Sequence, residues 1–272
     1  MTARTTCGHA GDLRYSSSIP ALDQSRTPVT AALNFIDISK HFGGAHALRR
    51  VNFTVSQGLA FGLAGVNGAG KTTLLKCMLD LCSASSGTIE ILGVPTTENR
   101  ARTRLAFLPE RFIPPYYLTG RDFLRMMAGL RADVYDEQRA RSMFERLDLD
   151  LAVLTRPVKT YSKGMTQKLG LASCFLADRE LTVLDEPMSG LDPKARAHVK
   201  DLMDELKRRG RTLFFTSHAL HDIEETCEQM AVLHGGELRF VGTPAALRMR
   251  GRSTSLESAF LELIAAPGRE AA

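Results

Sequence analysis

The residues best suited to chemistry lie in Gly65-Val-Asn-Gly-Ala-Gly-Lys71-Thr72-Thr73, which satisfies G-x-x-x-x-G-K-[ST]. Such a loop lets backbone N–H groups approach a phosphate, and a following helix N-terminus adds about half a positive charge. The candidate nucleotide-binding residues are therefore Gly65, Asn67, Gly68, Ala69, Gly70, Lys71, Thr72 and Thr73, with Lys71 reaching the terminal phosphate oxygens and the Thr72 hydroxyl suited to Mg²⁺. Further along, the apolar run Leu181-Thr-Val-Leu184 delivers Asp185 and Glu186 to a strand end. Asp185 can hold Mg²⁺ through water, and Glu186 can orient or deprotonate an attacking water. Neighbouring side chains on a strand alternate, so the two carboxylates are expected on opposite sides. Tyr161-Ser162-Lys163-Gly164-Met165 opens a helix with Met165, Leu169, Ala172 and Leu176 on its apolar face. Ser162 suits the N-cap and Gly164 leaves a backbone N–H unshielded, which on the residues alone reads as an ordinary capped helix or as an anion site.

Holding these groups requires strands and helices in a particular order. Leu59–Ala64 reads as a buried strand before the glycine loop, and Thr73–Leu79 as the helix after it. Upstream, short alternating runs from Ala32 to Val55 predict antiparallel strands joined at Phe42-Gly43-Gly44. Gly87–Gly93 and Leu105–Leu108 are further strands, the second running into Pro109-Glu110. From Arg121 to about Leu154 the residues favour helix, with Phe123, Met126, Met127 and Leu130 at helical spacing. Strand and helix alternate again through Leu181–Asp185, Pro193–Arg209, Thr212–Thr216, Ala231–His234 and Leu238–Val241. This order predicts an α/β fold: a P-loop NTPase core with a mostly parallel sheet, an N-terminal antiparallel β subdomain and an inserted α-helical subdomain, the ligand lying at the carboxyl ends of the strands. Leu256, Phe260, Leu263 and Ile264 mark a short amphipathic helix packed on the body.

Composition narrows the classes. With 272 residues, 44% hydrophobic and 24% charged, the chain can bury a sizeable core. Its longest apolar runs, Leu169–Ala177 and Leu181–Leu184, fall well short of the ~20 residues that span a bilayer. Residues 1–30, rich in Ser, Thr, Arg and Pro, lack the apolar centre of a secretory signal and read as a disordered arm or as the product of an upstream start. The five cysteines, Cys7, Cys77, Cys82, Cys174 and Cys227, show no C-x-x-C spacing and suit a reducing cytosol. His218 and His221 form an H-x-x-H pair with no further ligands near in sequence, which argues against zinc. The net charge of +5 is scattered, giving weak support for nucleic acid and equal support for an anionic membrane face.

A phosphate loop alone leaves kinases, GTPases and motor ATPases open, but the order of all these motifs resembles the nucleotide-binding subunit of ATP-binding cassette transporters from roughly Leu33 to Val241. The resemblance implies that Phe42 stacks on adenine and that Gly65 to Thr73 form the Walker A cradle. Glu110 takes the glutamine-loop position as a metal ligand, and Asp185 and Glu186 are the Walker B pair. Ser162 and Gly164 of the signature touch the γ-phosphate across a dimer interface, Asp192 contacts the opposite cradle, and His218 is the switch histidine. Glu110 replaces the usual glutamine, the signature reads YSKGM where LSGGQ is commonest, and Val66 and Met188 stand where proline and threonine are frequent. The implied cofactors are ATP and Mg²⁺. The implied partners are an integral membrane transport subunit, docking near Arg111–Tyr117, and a second copy or a paralogous ATPase, with no direct nucleic acid. The chain is expected to be cytoplasmic, peripheral on the inner face of the cell membrane, with a cassette domain at 31–245, a helical subdomain at about 111–165 and a tail at 246–272. The variant motifs resemble exporters whose membrane domain is a separate protein. The rival reading, a soluble cassette ATPase acting on ribosomes or DNA, is opposed by the single cradle and by the lack of a sustained heptad between Leu130 and Thr160.

Overall fold

The structure, a computed structural model, describes residues 30–251, 253 and 255–266. The expected disordered arm, apart from Thr30, and Cys7 lie outside the described residues.

Two sheets organise the chain. The first is antiparallel: β1 (Ala31–Phe42), β2 (Ala45–Ser56), β4 (Ser86–Ile91) and β5 (Val94–Pro95) lie in the order β2-β1-β4-β5, and the first turn falls at Gly43-Gly44 as expected. The second contains β3 (Ala60–Ala64), β6 (Leu105–Leu108), β7 (Leu181–Asp185), β8 (Thr212–Ser217), β9 (Gln229–His234) and β10 (Glu237–Gly242), in the order β10-β9-β3-β8-β7-β6. Every neighbouring pair in it is parallel except β9 and β10. The strands β3, β7 and β8 are buried along their whole lengths, as apolar runs covered on both faces must be.

Alternation of side chains divides the core in two. Phe61, Val183, Phe214 and Leu233 face the antiparallel sheet and helix α1 (Lys71–Met78). Ala64, Leu184, Phe215 and Val232 face the other way, toward α4 (Lys163–Ala177), α5 (Pro193–Arg208) and α6 (Leu220–Thr226). Four phenylalanines weld the sheets together. Phe35 stacks on Phe53 at 4.4 Å between ring centroids, Phe53 on Phe61 at 5.5 Å, and Phe61 on Phe214 at 5.8 Å.

Between β6 and α4 come α2 (Gly120–Leu130) and α3 (Glu137–Arg146). Each starts at a side-chain cap: the Thr119 hydroxyl accepts from the Asp122 N–H and the Asp136 carboxylate from Gln138 and Arg139. Helix α2 buries Phe123 and partly buries Met126 and Met127, but Leu130, expected on the same face, is 75% exposed. The helix ends at that residue and the chain reverses through Ala132 (φ 56°), so no further turn covers it. At the C-terminus, α8 (Leu256–Ala265) buries Leu256 and Phe260 and packs Leu263 and Ile264 on the core, in agreement with their spacing. Helix α7 (Pro244–Arg250) was not anticipated, because seven residues with only Pro244 and Leu247 buried carry no readable period.

Phe214 is fully buried, with the rings of Phe35, Phe53 and Phe61 at 6.4, 6.5 and 5.8 Å between centroids. Phe214→Ala is expected to cost about 3–5 kcal/mol of stability, read as a lowered urea midpoint with an unchanged slope; a loss under about 1 kcal/mol would show that the stack does not join the two sheets.

Candidate active site

Because β3, β8, β7 and β6 lie side by side and parallel, their carboxyl ends form one edge, and the loops leaving them carry the candidate residues. The glycine loop follows β3. Gly70 caps α1 at φ 108°, and a Cβ there would meet the Ala47 carbonyl oxygen at 2.7 Å, so both conformation and space demand glycine. With Gly70 as cap, α1 begins at Lys71, two residues before Thr73. The loop is closed on itself, the Ala69 N–H donating to the Val66 carbonyl at 3.1 Å, and tied to the far hairpin by the Gly236 N–H donating to the Ala69 carbonyl at 3.0 Å. Lys71 is only 7% exposed. Its ammonium donates to the Gly65 carbonyl at 2.5 Å and stands 3.7 Å from the Glu186 carboxylate.

The two carboxylates at the end of β7 do not point apart as strand alternation predicts. Glu186 lies beyond the strand in a left-handed conformation (φ 51°), which swings its side chain onto the cavity wall that Asp185 also lines. Thr216, at the end of neighbouring β8, fixes both. Its hydroxyl donates to Asp185 Oδ1 at 2.6 Å and accepts from the Glu186 N–H at 2.9 Å. The other Glu186 oxygen meets His218 Nδ1 at 2.8 Å. Burial pushes the Asp185 carboxyl above the ordinary carboxylate range; Thr216 pulls it down by hydrogen bonding, Glu110 and Glu186 push it up further and Lys71 opposes.

These groups surround a polar cavity of about 270 Å³ lined by the glycine loop, Lys71, Thr72, Thr73, Glu110, Asp185, Glu186 and His218. Three carboxylates face one lysine there, an excess of negative charge that suits a cation. Among the described residues no three His, Cys, Asp or Glu side chains converge into a metal cluster, so a bound Mg²⁺ would complete its shell with the Thr72 hydroxyl, water and phosphate oxygens.

A family model described as ABC transporter matches residues 48–189, more than half of the chain. The chain belongs to the ABC transporter family. It is 40% identical over 203 residues to an ABC transporter ATP-binding protein of Synechocystis, covering 73% of this chain and 57% of that protein, so it spans little more than half that relative's length. It is 32% identical over 239 residues to the Nod factor export ATP-binding protein I of Sinorhizobium fredii, covering 86% of this chain and 68% of that protein. Among solved structures, an ATP-binding subunit of an ABC transporter superposes with a TM-score of 0.79 at 30% identity, covering 85% of this chain and 99% of the other. A dimeric bacterial ABC transporter cassette shares the fold with a TM-score of 0.71 at 18% identity, covering 78% and 98%.

The remaining residues that the ABC transporter resemblance singled out lie outside the cavity wall. Phe42, at the end of β1, is 53% exposed with the Lys40 ammonium 4.9 Å above its ring. Ser162 caps α4 as expected, accepting from the Met165 N–H at 3.2 Å. Gly164 packs toward the Gly190 carbonyl, and Lys163 lies along Gly190. Asp192 caps α5, accepting from the Ala195 N–H at 2.8 Å. Sequence reasoning missed two residues that hold the candidate site. Thr216 carried a weak signal, a hydroxyl at the end of a buried strand. Gln167 carried none; its buried amide donates to the Pro187 carbonyl at 3.0 Å, joining the signature helix to the segment after Glu186.

The raised Asp185 carboxyl fixes a pH dependence. Its folded pKa lies above the ordinary 3.8, so the protein takes up a proton on folding in that window and stability falls as pH rises through it. Nucleotide-free and metal-free Asp185→Asn is therefore expected to be more stable than the wild type at pH 7, the gain vanishing below the ordinary value. Thermal unfolding across pH checks this, and a variant less stable at pH 7 would contradict it.

Proposed function

We propose that this chain is the ATP-hydrolysing subunit of a transporter, that it dimerises on binding ATP, and that it drives export through a separate membrane-spanning partner. The observation that carries the reading is the Glu186 carboxylate, held between Lys71 and His218 at the mouth of the glycine cradle and on the same wall as Asp185. The cradle's N–H groups and Lys71 bind and orient the phosphates of ATP. Glu186 takes the proton of the attacking water, and His218, whose side chain is 64% exposed, can turn from Glu186 to a phosphate oxygen. Thr72, Asp185 and Glu110 would supply oxygen donors for Mg²⁺, which would neutralise charge developing on the transferred phosphoryl group.

Ser162, Gly164 and Asp192 sit away from their own cradle, on a surface that a second copy can bring to the opposite cradle, which would make two sites from two chains. The dimeric cassette of the same fold and the export function named for the Sinorhizobium relative support the dimer and the direction of transport. Among the described residues no helix is long and apolar enough to cross a membrane, so passage through the bilayer would rest with the partner and this chain would sit on its cytoplasmic face. Docking is assigned to 111–117, just after Glu110: Ile113, Tyr116 and Tyr117 are exposed there, while Phe112 is anchored edge-on against Phe123 at 5.5 Å.

Glu186→Gln is expected to lower ATP turnover by about 100-fold or more and to accumulate as an ATP-dependent dimer. Phosphate release and light scattering measure the two effects; a variant that hydrolyses normally and stays monomeric would overturn the reading.

A further inference from the structure

A pair of thiols lies outside the site, at the opposite end of the cradle's helix. Cys77 is in the last turn of α1 and Cys82 in the loop toward β4. The chain between them folds back because Asp80 takes a left-handed conformation (φ 58°). The Asp80 N–H then donates to the Cys77 carbonyl at 3.1 Å and the Leu81 N–H to the Lys76 carbonyl at 2.9 Å, a Schellman closure. This reversal sets the two Sγ atoms 3.5 Å apart. Cys77 is buried at 4% exposure, whereas Cys82 is partly exposed, and both line a cavity of about 160 Å³ shared with Ser83, Thr88 and Thr96. The Lys40 ammonium is fastened beside them by the Ser83 carbonyl at 2.7 Å.

We propose that Cys77 and Cys82 are a thiol–disulfide exchange site that takes small disulfides of the glutathione type and closes to an intramolecular bridge. The Cys82 thiolate attacks one sulfur of glutathione disulfide; a Cys82–glutathione bond forms, the glutathione disulfide bond breaks, and one glutathione leaves. Cys77 then attacks the Cys82 sulfur, forming the Cys77–Cys82 bond and expelling the second glutathione. The protein dithiol loses two electrons and two protons, and the glutathione disulfide becomes two thiols. Access assigns the order, since Cys82 is the sulfur that a dissolved disulfide can reach. Burial and the hydrogen bond to Cys82 push Cys77 up to about 12, which suits the resolving role rather than the attacking one. Closing the bridge needs the sulfurs to approach from 3.5 Å to about 2.05 Å. Because α1 starts at Lys71, the bridge would tether the far end of the helix that carries the cradle.

The test incubates the reduced full-length chain with glutathione disulfide at neutral pH, traps remaining thiols by alkylation, and maps cysteine peptides by mass spectrometry. The wild type is expected to lose both thiols together to a Cys77–Cys82 bridge that dithiothreitol reverses. Cys77→Ser should instead hold glutathione on Cys82, and Cys82→Ser should leave Cys77 free. The proposal is overturned if the wild type stops at a glutathione adduct on Cys82, or if both thiols stay free while the same chain unfolded in urea is modified. Cys82→Ser and the wild type decide the matter even if Cys77→Ser, which touches the core, does not fold.

Discussion

The structure depends on keeping a lysine charge inside the protein. Lys71 is almost wholly removed from water, and an ammonium so placed costs several kcal/mol unless anions and acceptors compensate. The compensation comes from distant parts of the chain: the Gly65 carbonyl six residues earlier and the Glu186 carboxylate from the far end of β7. Only a sheet that sets β3 and β7 on either side of β8 brings these together, so the strand order and the charge balance are one requirement. The balance is not neutral. Asp185 and Glu110 add negative charge on the same wall, which gives the cavity more acidic than basic side chains and suits it to a metal-bound polyphosphate.

Rigidity around that charge comes from hydrogen bonds that cross between elements. From β8, the Thr216 hydroxyl holds the Asp185 carboxylate and the Glu186 backbone N–H, so the acidic pair is tied to the strand that precedes His218. Gln167 extends the connection outward, from the segment after Glu186 to the helix that Ser162 caps. A movement of the helix that Ser162 caps would therefore be felt beside Glu186 through one buried amide, without passing through the cavity.

Local rules made much of this legible. Strands β3, β7 and β8 are apolar runs buried on both faces, α4 and α5 begin at the Ser162 and Asp192 caps, and the glycine loop has few ways to fold. The orientation of Glu186 was not legible, because strand alternation ends with the strand and a left-handed glutamate is a tertiary decision. Leu130 illustrates the same limit: its spacing fits an apolar face, but burial depends on what lies beyond the helix end. Phe42, Ser162 and Gly164 were placed by family resemblance, and in a single chain nothing brings them to the cradle wall.

A parallel sheet that commits all its carboxyl ends to one task leaves its amino ends uncommitted. The chain enters β3 through Gly58 and β8 through Gly210, both exposed and both in left-handed turns at φ 78° and 75°. Strands of five and six residues put these turns about 16–20 Å from the opposite edge of the sheet. That distal rim is where a fluorophore, an affinity handle or a fused domain can be attached so that it follows the molecule without entering its chemistry.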